Sequence, residues 1–515
     1  MRFKVKGSQS VKKTKLLLLS APSAGNSHLS REAGEDSEVP MRKILMTFSW
    51  LIVVLALAAR APQAIAPGVK SFVRVDTPVF ALTHVRVIDG TGAPAREDQT
   101  IVVSAGKIQA IGDSASTSVP PTAKVLELRD YTVVPGLVGM HDHIFYPAGP
   151  AHYNTLEFSA PRLYLACGVT TIRTTGGLET YTELNLKRAV ERGSVPGPKM
   201  NVTSPYFEGR GAFTLQMHEL SGPEEARRMV QFWDEAGVDD FKAYTNISRA
   251  ELAAVIDEVH KRGKKITGHL CSIGFREAAA LGIDNLEHGL FADTEFAAGK
   301  KLDLCPPSRE SREAFLKLDI SGPEVQETIR QLVAHKITIT STLPVFEISV
   351  PGRPPLQSRV LEAMAQETRI AYLTQRARVG EIKDSPMPAA LKKEMEFERA
   401  FVLAGGLLIA GPDPTGYGGV LPGFGDQREV ELLVEAGFTP VEAIRIATLN
   451  GALYLNRSDK IGTLEPGKQA DMVLIKGNPA QDIADIEKVE TVFKDGIGYD
   501  SAKLIESVRG LVGIR

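Results

Sequence analysis

The 515-residue chain exceeds one ordinary domain, and its 43% hydrophobic and 24% charged residues describe a globular protein with a large core. Its formal net charge of −2, with acids and bases interspersed, excludes a polyanion-binding stripe and leaves no reason to expect a nucleic-acid partner. The three cysteines, Cys167, Cys271 and Cys305, lack C-x-x-C spacing and read as buried thiols.

Residues 1–40 are polar and basic and suggest no fold. From Met41, a basic start, an apolar run over 44–59 and an Ala/Pro-rich stretch to Pro67 make the three-part pattern of a secretory signal. The run is short of the ~20 residues a membrane span requires. The expectation is translation from Met41, a secreted or periplasmic mature chain, and no stable membrane partner once the leader is removed. The competing reading is an uncleaved anchor.

Short alternating strands follow, over 81–88, 99–104 and 107–111, separated by Gly-containing turns. A matching block closes the chain over 462–468, 470–475 and 489–494. These predict a small antiparallel sheet with one wet face, built from both chain ends as a β-sandwich domain. Between them, apolar strand patterns at 170–174, 199–203, 239–244, 265–269, 285–288, 337–342 and 407–410 alternate with helical patterns at 162–167, 221–237, 248–263, 274–281, 391–404 and 440–455. With the strand that opens the region these make eight, which predicts a (β/α)8 TIM-like barrel with its chemistry at the C-terminal strand ends. The α/β architecture is therefore an extension and leader over 1–66, sheet halves over 67–134 and 457–515, and the barrel over 135–456. Residues 291–333 and 344–391 break the rhythm and read as loops over the barrel mouth.

The stretch VVPGLVGMHDHIFY, residues 133–146, carries the first chemistry. His141 and His143, two apart on a strand, share one face, while Asp142 points the other way. Two neutral imidazoles at the end of a buried strand make half of a zinc-type site. Further candidates fall at later strand ends: Lys242 on the fourth strand, His269 after the fifth, His288 after the sixth and Asp413 after the eighth.

On these residues, together with the closing GTLEPGKQADMVL at 462–474, the chain resembles the amidohydrolase superfamily of metal-dependent hydrolases. The likeness is to its two-metal branch, with imidazolonepropionase-like and Xaa-Pro-dipeptidase-like members, and it covers nearly everything after the leader. It implies two divalent ions, zinc by default. His141, His143 and Asp413 would hold one and His269 and His288 the other, with an N6-carboxylated Lys242 bridging them. Such closely spaced cations repel and need an anion between them, a part that a lysine carbamate can fill. A bridging hydroxide would attack the carbonyl, and Asp413 would serve as general acid and base.

Tyr244, two residues beyond Lys242, shares its face and can polarise a scissile carbonyl or simply pack at the mouth. His218, after the third strand, is a further catalytic candidate, although the surrounding loop lacks the Gly-rich His segment of relatives. Arg210 and His152 are outside candidates; His84, His260 and His335 read as structural. Gly411-Pro-Asp413 replaces the relatives' Gly-Thr-Asp. The function expected is an exported hydrolase of a C–N bond in a small-molecule amide, dipeptide or cyclic amide, working as a homo-oligomer. The alternatives are a one-metal deaminase, against which no Glu follows His269 closely, and a non-catalytic binding descendant, against which no ligand position is missing.

Overall fold

The computed structural model describes residues 65–149 and 151–514, so the expected leader lies outside the described residues. Eight strands, Leu137–Asp142, Val169–Thr174, Lys199–Phe207, Asp240–Ala243, Ile266–Gly268, Asn285–Glu287, Thr338–Ser341 and Leu408–Ala410, lie side by side in chain order, every hydrogen-bonded pair parallel. All eight strands are largely buried, but only one face is apolar, with Ile172, Phe241, Ile266, Leu286 and Ile339; the alternate positions Arg173, Lys242, Thr267, Asn285, Glu287 and Thr340 put polar groups on the other. The last strand meets the first at a seam where the Asp413 N–H donates to the His141 carbonyl at 3.0 Å. Gly411 is needed there, because a Cβ on it would lie 2.1 Å from the His141 nitrogen. The nearly closed barrel matches the architecture expected from the alternating patterns.

Local signals explain where its helices begin and end. Arg249–His260 starts at Ser248, which forms a capping box with Glu251. Pro223–Ala236 opens on proline and closes on Gly237 in the left-handed region. The helix expected over 440–455 is three pieces, Pro440–Arg445, a π-helical turn Ile446–Asn450, and Gly451–Tyr454. Among the described residues, no helix is long and apolar enough to cross a membrane.

The strands outside the barrel depart from the expected small antiparallel sheet. Nine of them form one continuous mixed sheet, in which Val79–Val87 runs parallel to both Lys124–Glu127 and Tyr131–Pro135. The two chain ends join where Tyr131–Pro135 pairs antiparallel with Met472–Lys476. The sheet has its own core, in which Phe80 stacks on Phe493 at 5.0 Å. Phe493→Ala should therefore cost about 3–5 kcal/mol, read as a lower urea midpoint, because a fully buried ring leaves a cavity that the sheet cannot close.

Two further expectations are corrected. The segments read as loops are largely helical, with Ser308–Lys317 and Pro323–Ala334 in the first, and Leu343–Glu347, Ser358–Ala363, Gln366–Gly380 and the start of Met387–Leu403 in the second. Their apolar stripes are thin: Gln366–Gly380 buries only Tyr372 and Val379, so helix-forming residues carry it without the periodicity that marks a core helix. Cys271 and Cys305 are not thiols but a disulfide, their Cα atoms 5.1 Å apart, within ordinary disulfide reach. Long-range pairing of this kind leaves no spacing signal. Cys167 is the buried free thiol expected.

Candidate active site

The barrel strands deliver their chemistry to one floor. His141 lies within the first strand and His143 just beyond it, both only 2% exposed. The Nε2 atoms of His141 and His143 stand 3.8 and 3.3 Å from Asp413 Oδ1. His288 joins from the sixth strand, its ring centroid 4.7 Å from that of His141 and 4.2 Å from that of His269. Ligand atoms of His141, His288 and Asp413 all lie within 4.8 Å of one another. Two of these residues sit in the left-handed region, His288 at φ 72° and Asp413 at φ 50°. Non-glycine residues adopt that geometry at a cost, one that packing commonly sustains at functional sites.

Neighbours aim each group. Glu287 Oε2 holds His141 Nδ1 at 2.8 Å, which leaves Nε2 to face Asp413. Thr342 Oγ1 holds His288 Nδ1 at 2.8 Å, and the Thr415 hydroxyl donates to Asp413 Oδ1 at 2.8 Å. Glu287 is itself held by the fully buried Arg173, whose Nη2 donates to Oε1 at 2.9 Å while Nη1 and Nε donate to Asn285 and the Met140 carbonyl. Burial opposes ionisation of Glu287, but Lys242 and Arg173 outweigh it and keep the carboxyl well below the usual range.

Three buried nitrogens here make no hydrogen bond: His143 Nδ1, His288 Nε2 and Lys242 Nζ. Such orphans are rare unless something else satisfies them. Burial keeps three of the imidazoles neutral, with His143 pulled down to about 4, His269 to about 3 and His288 well below its ordinary value. Burial also draws Lys242 down to about 8. Asp413 stays ionised, since His141 and His143 outweigh its desolvation. Neutral imidazoles, an anionic carboxylate and side chains with orphaned nitrogens, all lining one cavity, are the donor set that divalent transition ions take. The residues present therefore fit a metal centre.

Above this floor opens a cavity of about 620 Å³. Its walls are largely aromatic, with Phe145, Tyr153, Tyr206, Tyr244, Phe291 and Phe346 among the lining side chains.

Residues 409–497 match the family described as the Amidohydrolase family. The imidazolonepropionase of Geobacillus kaustophilus is 22% identical over 394 residues, which covers 73% of this chain and 82% of that one. The structure of a putative prolidase from Bifidobacterium longum is 26% identical, covers 84% of this chain and 98% of its own, and superposes with a TM-score of 0.58. Over most of its length the chain is similar to members of the amidohydrolase superfamily. The Aspergillus niger ochratoxinase structure shares the fold at 19% identity and TM-score 0.60, covering 85% of this chain and 100% of its own.

All six residues expected to hold metal, His141, His143, Lys242, His269, His288 and Asp413, line this one cavity, and so does Tyr244. The tightest group takes His141 and Asp413 from one expected set and His288 from the other. Tyr244 packs on His269 at 5.1 Å, and burial raises its phenol well above the ordinary value. His218 is not brought in. It is exposed and bonded to Glu225 Oε1 at 2.9 Å, while its neighbour Met217 supplies the side chain that faces the cavity. Arg210 and His152 are exposed and do not line the cavity either. His84 and His260 pair with Asp98 and Asp284, as structural histidines do. Sequence reasoning missed Arg173 and Glu287, the inner support of the site. Strand alternation would turn Glu287 away from the face of His288, but the strand ends at Glu287 and His288 is left-handed, so alternation lapses and both side chains reach His141.

Proposed function

We propose that the chain hydrolyses a C–N bond of a small-molecule amide, dipeptide or cyclic amide at a metal centre held by His141, His143, His269, His288 and Asp413, with a carboxylated Lys242 between two ions. The observation that carries this reading is the convergence of neutral imidazoles, the ionised Asp413 and the orphaned Lys242 Nζ at the floor of one aromatic cavity. Divalent ions bound there would supply Lewis acidity and lower the pKa of water.

The chain's own residues supply the rest. The Tyr244 phenol stays protonated and can donate to a carbonyl oxygen as negative charge develops on it. Asp413 can accept a proton at its carboxylate and return it to the departing amine. The Thr415 hydroxyl engages Oδ1, which fixes the carboxylate's rotation. Glu287 keeps the His141 tautomer with Nε2 free to coordinate. Lys242, drawn down by burial, offers near neutral pH the free amine from which a carbamate forms.

Chelation should abolish hydrolysis of an amide library, and reconstitution with zinc and bicarbonate should restore it with close to two ions per chain, counted by elemental analysis. A second reading is favoured by the single compact group His141, His288 and Asp413. That reading is a one-metal site of the deaminase type, and full activity at one ion per chain would establish it in place of the first.

Export is part of the proposal. The Cys271–Cys305 disulfide supports it, since such bonds persist in oxidising compartments. Thiol titration of the denatured, unreduced protein should find one thiol, Cys167, and three after reduction.

A further inference from the structure

The cavity lining holds few fixed charges. Apart from the four histidines, these are Lys242, Asp413 and Arg312. The first two belong to the floor. Arg312 stands on Ser308–Lys317, the helix inserted over the barrel mouth, and Ser308, Ser311, Arg312 and Phe315 all line the cavity. That spacing of i, i+3, i+4 and i+7 is one helical face. The neighbouring Arg309 is spent on the outer side, paired with Glu313 at 2.8 Å. Arg312 makes no ion pair or hydrogen bond among the described residues.

Its position relative to the floor is also defined. Ring contacts of 6.0, 4.4 and 5.3 Å lead from His288 through Phe346 and Phe291 to Phe315, less than one turn along the helix from Arg312. His288 is 3% exposed, whereas Arg312 is open to solvent. The cavity thus runs from a metal-binding floor, along an aromatic wall, to one unpaired guanidinium at the rim.

We propose that Arg312 anchors a substrate carboxylate. Resting on the hydrolase reading above, this defines the substrate class as amides with an apolar, ring-bearing body and a carboxylate remote from the scissile bond. The scissile amide reaches the floor, the body lies along Phe346, Phe291 and Phe315, and the carboxylate meets the planar guanidinium fork in a bidentate pair. Because the rim is open to water, discrimination comes from the pair gained with a carboxylate, while neutral analogues leave the guanidinium hydrated.

The test uses aryl amides in matched pairs, one member with a terminal carboxylate and the other with a carboxamide in its place, assayed with the metal-loaded protein. The wild type should prefer the carboxylate about ten-fold or more in kcat/KM, the difference lying in KM and shrinking as salt rises because the rim is wet. Arg312→Gln should bring the ratio close to one, and Arg312→Lys should keep part of it. Equal hydrolysis of both members by the wild type, or a preference that survives Arg312→Gln, overturns the anchor while leaving the hydrolase reading intact. Failure to cleave any member counts against the hydrolase reading. Calorimetric binding of a matched arylalkanoic acid and its amide then decides the anchor separately, a tighter acid supporting it and equal binding overturning it.

Discussion

Lys242→Ala should lower hydrolysis by about three orders of magnitude or more, a loss equivalent to about 4 kcal/mol of transition-state stabilisation, and acetate or propionate should restore part of it. Lys242 is 1% exposed, its Nζ makes no hydrogen bond, and a carboxylate oxygen of Glu287 lies 3.7 Å away, too far for one. A buried ammonium left like that is costly, but a carbamate on the same arm is an anion placed among neutral imidazoles. The alanine variant removes that anion and opens a hole about the size of a short carboxylic acid. A small carboxylate can occupy the hole and provide the missing charge, since the task is electrostatic and geometric. The alternatives give different results. A structural lysine would leave activity nearly intact, and a Schiff-base lysine would give a dead variant revived by amines and not by carboxylates. Assays of the variant with each additive, together with metal content, separate the three.

What the sequence disclosed and what it withheld follow from the range of the interactions involved. The barrel was legible because each strand carries its own apolar run and each ligand follows one, so counting runs places His141, Lys242, His269, His288 and Asp413 on one face. The mixed sheet was half legible: its end strands alternate clearly, but the direction in which Lys124–Glu127 pairs depends on partners distant in sequence. The mouth helices were missed because they bury little, and the disulfide because a pairing across 34 residues has no local mark. His218 attracted attention as a histidine in the right loop, yet a turn of the backbone there gives the cavity Met217 instead. Arg173 falls inside the 170–174 strand pattern and carries no mark of its own in the sequence. Only the closed barrel shows that its guanidinium is wholly buried and spans Met140, Asn285 and Glu287.

That buried arginine supports the second large effect. Glu287→Gln should weaken metal binding about 10–100-fold, the usual consequence of removing the partner that orients a ligating histidine. It should also destabilise the fold by about 3–5 kcal/mol, because Arg173 is left as a buried charge without its counter-ion. The wild-type pair contributes to stability with a defined pH dependence. The folded pKa of Glu287 is depressed, so its contribution is present above the unfolded value near ~4.3 and is lost as pH falls toward the folded one. In Glu287→Gln that acid-side loss should disappear along with the stability. A purely structural counter-ion and a positioning residue are then distinguished by the double variant Glu287→Gln with Arg173→Met, which removes both charges. Much of the stability should return, read as the urea midpoint, because replacing a buried pair with apolar or neutral groups is often close to neutral. Metal affinity should stay low, since nothing holds His141 Nδ1 as the carboxylate did. Recovery of metal affinity and activity in the double variant would show instead that Glu287 serves only to neutralise Arg173, and that His141 finds its orientation from the strand alone.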